Sequence, residues 1–359
     1  MNDLTIDIRD AAKTYRGKVR ALRGVSMQVG RGEVFGLLGP NGAGKSTLIK
    51  ILMTIVRPTR CAGTLLGAPI GRKDALAHVG YLPEHLRFPE YLTGAQTLDY
   101  LGGLQDVPRA TRRSRGAESL ELVGLTEWRA KKIGGYSKGM KQRLGVAQAL
   151  MNDPDLILLD EPTDGVDPVG RRDIRNVMTE LRARGKTVFI NSHLLGEVEM
   201  ICDRVAILVQ GEVATQGALD ELTEGGRRYE IEIAAPREGR FDPVAALGAV
   251  VKPTPPPKSP DAQPSAPAGK PPPRSLCVLP GGEPIELSGR VFRIATTDAR
   301  VVQPLLDALR SEGAVVAGVR LVRPSLEDLF IQAVTDPGTG EADGVGAKPD
   351  EPKRTGGAE

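Results

Sequence analysis

The 359-residue chain carries 48 Lys plus Arg against 45 Asp plus Glu, a net charge of +3 that is too small to imply a nucleic-acid partner. It contains no run of about 18 apolar residues, so no membrane-spanning helix is expected. Its length suits one large domain and a smaller one.

Residues 1–10 hold three aspartates and no apolar stretch of the secretory kind, so no signal peptide is expected. Cys61, Cys202 and Cys277 are odd in number, far apart and without a C-x-x-C spacing. They read as buried or incidental thiols of a cytosolic chain. Leu4 to Ile8 and Val25 to Val29 alternate apolar and polar residues as half-buried strands do. Tyr15 lies between them, either as ordinary surface or as a platform on which a base stacks.

Glu33 to Leu38 reads as a short apolar strand. Gly39, Pro40, Asn41, Gly42, Ala43, Gly44, Lys45, Ser46 and Thr47 follow and fit G-x-x-x-x-G-K-[ST]; Thr47 to Val56 then reads as a helix, stopped by Arg57-Pro58-Thr59. Strand, loop and helix in that order are the context the motif requires. The glycines admit backbone dihedrals closed to other residues and let phosphate oxygens approach. Successive N–H groups and the positive end of the next helix hold the anion. Lys45 supplies a point charge, and the Ser46 hydroxyl is placed for Mg²⁺. The chain is expected to bind a nucleoside triphosphate.

Thr64 to Gly67 and Val79 to Pro83 read as short strands, with Glu84 just after the second. From Thr93 to Gly124 the pattern turns helical. Tyr136-Ser137-Lys138-Gly139-Met140 opens a further helix to about Asn152, for which Ser137 is a suitable cap. That terminus is either an ordinary capped end or a second phosphate site. Leu156 to Leu159 is apolar throughout and ends in Asp160 and Glu161, as a central parallel strand buried on both faces would. At the carboxyl end of such a strand, Asp160 suits a metal sphere and Glu161 the polarising of a water; the alternative is a pair of solvated carboxylates. Pro168 to Arg184 reads as a helix and Thr187 to Asn191 as a strand, followed by His193, which is either structural or on the γ-phosphate side. Val205 to Val209 adds a strand, and Leu219 to Glu224 closes the domain.

Beyond it, Tyr229 to Ile233, Val291 to Ala295 and Gly318 to Val322 read as strands, and Val301 to Ser311 and Ser325 to Phe330 as helices. Residues 252–274 are dominated by proline and read as a disordered insert; residues 335–359, polar and Gly-rich, read as a disordered tail.

Taken together, the ordered set over about residues 4–225 resembles the ATP-binding subunit of an ABC transporter. The phosphate loop is similar to its Walker A motif, and Leu156 to Glu161 to its Walker B strand with the catalytic glutamate. Ser137-Lys138-Gly139 resembles the signature motif, with Lys138 where a glycine and Met140 where a glutamine is usual. Asp167 resembles the D-loop residue, His193 the switch histidine and Tyr15 the adenine-stacking aromatic. Glu84 stands where the family has the Q-loop glutamine. It either approaches Mg²⁺ or transmits movement to a membrane partner.

The resemblance implies an α/β P-loop NTPase fold over 1–225, with a helical subdomain at about 85–152, and a small α+β accessory domain over 226–334. It implies ATP and Mg²⁺ as ligands, and two copies that sandwich ATP, each phosphate loop facing the other's signature serine. It further implies a separate transmembrane permease, contacted through about residues 85–103, and a cytoplasmic location at the inner face of the membrane through that permease alone. Pro324 to Phe330 resembles the accessory domain of ATPases paired with ABC-2-type exporters. An ATPase working off the membrane is the second reading. Against it stand the single cassette and the absence of sustained heptads between phosphate loop and signature. A GTPase or small kinase is the third, and the chain lacks an Asn-Lys-x-Asp guanine motif.

Overall fold

The computed structural model describes residues 4–16, 19–224, 227–234, 252–253, 277–278, 284–288, 290–311 and 313–334. The elements in order are β1 (Leu4–Tyr15), β2 (Val19–Gly30), β3 (Val34–Leu38), α1 (Lys45–Leu52), β4 (Arg60–Leu65), β5 (Ala68–Pro69) and β6 (Val79–Leu82). There follow α2 (Gly94–Leu104), α3 (Arg109–Leu122), α4 (Lys138–Ala149), β7 (Leu156–Asp160), α5 (Pro168–Ala183) and β8 (Thr187–Asn191). Next come α6 (Leu195–Ile201), β9 (Arg204–Val209), β10 (Glu212–Ala218), α7 (Leu219–Glu224) and β11 (Arg228–Ile233). The last are β12 (Lys252–Pro253), β13 (Cys277–Val278), β14 (Pro284–Ser288), β15 (Val291–Ile294), α8 (Ala299–Ser311), β16 (Val316–Val322) and α9 (Leu326–Val334). Chain contacts divide them into one compact unit that runs to Leu219 and resumes at Leu326, and a second over Asp220–Ser325.

The first unit holds two sheets. One is antiparallel in the order β2-β1-β4-β5; the other runs β10-β9-β3-β8-β7-β6, parallel except for its edge strand β10. The strands β3, β7 and β8 are buried at every position, as their apolar sequences require of strands covered on both faces. Helix α1 lies in one core cluster with both sheets: Leu48, Ile49 and Leu52 join Ile8 and Met27 on one side and Leu37 and Leu158 on the other. Phe35 of β3 stacks on Phe189 of β8, ring centroids 5.6 Å apart and planes 12° apart. The helices α2, α3 and α4 pack on one another, and α4 also packs on β6. In register, Asp160 pairs with Asn191 at the carboxyl ends of β7 and β8, the edge from which the loop after β3 also leaves.

Several boundaries differ from the sequence reading. The strands β1 and β2 run 12 residues each, longer than the alternation indicated, because register shifts beside Ile8 and Ala11 and a left-handed Asp10 (φ 52°) interrupt the pattern. Leu66 and Gly67 are not strand: both have positive φ (51° and 79°) and form the turn from β4 to β5. Helix α1 begins at Lys45 and ends at Leu52, short of Val56, with Thr54 left-handed (φ 57°) just beyond it. Helix α4 ends at Ala149, before Asn152.

In the second unit an antiparallel sheet, ordered β12-β13-β14-β15-β11-β16, carries α8. Ile231, Phe292 and Ile294 of the sheet and Leu305 and Leu309 of α8 form its core. Helix α9 instead packs on α6 and β9 in the first unit, with Leu326 fully buried. The last helix therefore does not belong with the compact unit that the sequence reading placed over 226–334. Of the Pro-rich stretch expected at 252–274 only 252–253 is described, and the tail expected at 335–359 lies outside the described residues. Among the described residues no helix is long and apolar enough to cross a membrane.

The stacked Phe pair joins the two strands that aim the site. Replacing Phe189 by Ala leaves a cavity there and is expected to lower the unfolding free energy by about 3–5 kcal/mol, read from denaturant titration.

Candidate nucleotide site

The loop between β3 and α1 can follow its path only with glycine at two points. Gly39 (φ 157°) lies where an added Cβ would meet the Leu208 carbonyl oxygen at 2.2 Å, and Gly44 (φ 106°) where it would meet that of Ala21 at 2.4 Å. Gly44 is the N-cap of α1 and offers no side chain to the first-turn N–H groups. Thr93 caps α2, Ser137 caps α4 and Asp167 caps α5, whereas α3 and α6, like α1, start without a side-chain cap. An uncapped helix start behind a glycine loop is suited to an anion.

Lys45 is only 6% exposed, and its Nζ donates to the carbonyls of Gly39 (2.6 Å) and Pro40 (3.2 Å). Burial lowers the pKa of its ammonium; the fields of Glu161, Asp160 and Glu84 oppose that shift. Ser46 Oγ donates to Asp160 Oδ1 at 3.5 Å, and Asn191 Nδ2 donates to the same oxygen. Asp160 is 1% exposed, and burial raises its carboxyl pKa; the Asn191 hydrogen bond pulls the other way and the Glu84 charge adds to the rise.

Glu161 follows β7 in a left-handed conformation (φ 53°), which costs a non-glycine residue on the order of 1–3 kcal/mol. Its N–H donates to the Asn191 carbonyl at 2.9 Å and its own carbonyl accepts from Gln142 Nε2 at 3.3 Å, so both neighbours hold the turn. The Glu161 Oε2 lies 2.7 Å from His193 Nδ1. Burial raises the Glu161 carboxyl, against the pull of His193 and Lys45.

A cleft of about 340 Å³ lies beside these groups, lined by residues 41–47, Glu84, Glu161 and Asn191, with Val19 and Ala21; Asp160 and His193 are not among its walls. Tyr15 is not among its walls: it is 38% exposed, with the Lys13 ammonium 5.0 Å from its ring centroid. Ser137, Gly139 and Asp167 are not among them either. Ser137 Oγ accepts from Met140 N (3.2 Å), and Asp167 Oδ1 accepts from Gly170 N (2.9 Å), which helps hold the Asp167 carboxyl low. Sequence reasoning missed Asn191 and Gln142. A polar residue ending an otherwise apolar strand was the available signal for Asn191.

Among the described residues no group of three or more His, Cys, Asp or Glu could hold a metal ion alone. A hydroxyl and a buried carboxylate side by side are what Mg²⁺ takes from a protein when phosphates supply other oxygens, and the buried Asn191 Oδ1, which has no hydrogen-bond partner, adds a further oxygen beside them. The donor set fits Mg²⁺.

Comparison with known proteins agrees with this chemistry. Residues 22–164 match the family described as ABC transporter. An uncharacterised ABC transporter ATP-binding protein of Synechocystis sp. is 40% identical over 349 residues, 93% of this chain and 85% of that one. This chain belongs to the family of ABC transporter ATP-binding proteins. The ATP-binding subunit therefore binds and hydrolyses ATP on a P-loop cassette. A relative over nearly the same length is the daunorubicin resistance ATP-binding protein DrrA3 of Streptomyces coeruleorubidus, 31% identical over 94% of this chain and 98% of its own. Among solved structures, a dimeric post-hydrolysis state of the cassette MJ0796 bound to ADP and Pi is 25% identical, with a TM-score of 0.54 over 60% of this chain and 98% of that one.

Because burial raises the folded-state pKa of Asp160, the folded cassette binds that proton more tightly than the unfolded chain does. Its ionised form therefore costs stability, beginning near the unfolded value of about 3.9 and complete above the raised folded value. The nucleotide-free Asp160→Asn variant is expected to melt higher than the parent at pH 7. The difference should vanish on acidification below the carboxylate range, as followed by thermal melts across pH.

Proposed function

We propose that the cleft is one half of an ATP site that a second copy of the chain completes. Residues 39–47 cradle the phosphates, Lys45 neutralises the terminal ones, and Tyr15 stacks on the adenine from outside the cleft. Ser46 and Asp160, with Glu84 nearby, hold Mg²⁺, which would supply charge neutralisation at the phosphates. Glu161, its carboxylate oriented by His193 Nδ1 at 2.7 Å, polarises the attacking water. Ser137, Gly139 and Asp167 serve the site of the partner. What carries this reading is the absence of Ser137, Gly139 and Asp167 from the walls of the cleft that residues 41–47, Glu84 and Glu161 line; the dimeric state of a related cassette supports it.

The cassette energises a separate membrane permease and sits at the inner face of the membrane through that contact. A largely apolar groove of about 540 Å³ beside the helical region, lined by Leu86, Phe88, Pro89 and Leu101 together with Met53 and Leu76, is suited to a helix of the permease. The resistance role in the name of the Streptomyces relative supports export as the direction.

Glu161→Gln is expected to keep ATP binding and to lose turnover by roughly 10²–10⁴-fold, read as phosphate release beside nucleotide binding. Hydrolysis at the parent rate would contradict the role given to Glu161.

A further inference from the structure

Glu84 and Lys138 carry opposite charges at two of the positions that the motif reading singled out. Glu84 lines the cleft and its charge is felt at Lys45 and Asp160. The charges of Glu84, Asp160 and Glu161 all act on the Lys45 ammonium, and that of Lys50 acts on Asp160, which leaves an acidic setting for an anionic substrate.

Lys138 lies elsewhere, as the first residue of α4, directly after the capping Ser137. Its Nζ donates to Asp164 Oδ2 at 3.0 Å, in a pair whose side chains are 61% and 57% exposed. An ion pair so open to water contributes little and is readily exchanged. The ammonium rests against the turn at Gly165, left-handed at φ 63°: a Cβ added there would fall 1.9 Å from Lys138 Nζ. That turn joins Glu161 to the Asp167 cap of α5, so the lysine is held by the loop that leaves the carboxylates. A lysine is a compact charge on a flexible stem and can change partners without moving the helix that carries it.

We propose that Lys138 is a phosphate-binding residue for the site of a second copy, parked on Asp164 while the subunit is single and transferred to the terminal phosphate held by its partner when two copies close. The inference rests on the shared site proposed above. Lys138 of one copy then offsets the additional carboxylate, Glu84, that the other copy brings to the same nucleotide. Asp164 competes with the phosphate for this lysine, so removing either member of the pair has opposite effects. A pair that only braced the loop would weaken pairing whichever member was lost.

The test uses the full chain carrying Glu161→Gln, which retains ATP, and follows dimer formation against ATP concentration by light scattering, with Lys138→Met or Asp164→Asn added. Losing the lysine should raise the ATP concentration for half-pairing by about tenfold or more, the scale of one charge-assisted contact. Asp164→Asn should lower it. Nucleotide binding is measured in parallel at dilutions where the chain is single. Both variants weakening pairing alike, Lys138→Met pairing as well as its parent, or an equal loss of nucleotide binding by the single chain would each overturn the assignment. A Glu161→Gln parent that never pairs with ATP would overturn the shared site itself, and the inference with it.

Discussion

The nucleotide site depends on one buried ammonium. Lys45 stands almost out of water with backbone carbonyls for hydrogen-bond partners, in the field of two buried carboxylates. Burying a charge costs several kcal/mol unless other groups compensate it. Here the compensation comes from the fully buried strands β3, β7 and β8, which hold loop, Asp160 and Glu161 at one sheet edge. The raised carboxyls of Asp160 and Glu161 are the counterpart of that arrangement.

The same economy explains the split between the two kinds of helix terminus. Gly44 leaves the start of α1 free of any side-chain cap, whereas Ser137 and Asp167 use their oxygens on the N–H groups of α4 and α5. In the single subunit Ser137 and Asp167 thus serve as local helix caps, and Lys138 is tied to Asp164. The second use proposed for these residues is at the site of a second copy, and a related cassette is dimeric.

How much of this was legible in the sequence followed from how local each constraint is. The phosphate loop, the apolar run into Asp160 and Glu161, and the strand Thr187–Asn191 could be read because a few consecutive residues carry the signal. The full lengths of β1 and β2 could not, since bulges near Asp10 break a two-residue period. The half-exposed edge strand β10 and the seven-residue α6 left no periodicity to detect. The left-handed turn at Glu161 was equally hidden, because Asn191 and Gln142, distant in sequence, hold it. The return of α9 to the first unit rests on its packing against α6 and β9, which no local pattern records.

The central claim is that neither copy owns a complete site, and mixing two disabled chains tests it most directly. Lys45→Ala removes the phosphate charge on one side of the shared site, and Ser137→Arg blocks the other; ATP hydrolysis is then measured for each variant alone and for their equimolar mixture. Each alone should be inactive, and the mixture should recover hydrolysis, because a mixed pair retains one intact loop facing one intact signature. A mixture no more active than its components, or a Ser137→Arg chain that hydrolyses ATP at the parent rate, would contradict the account.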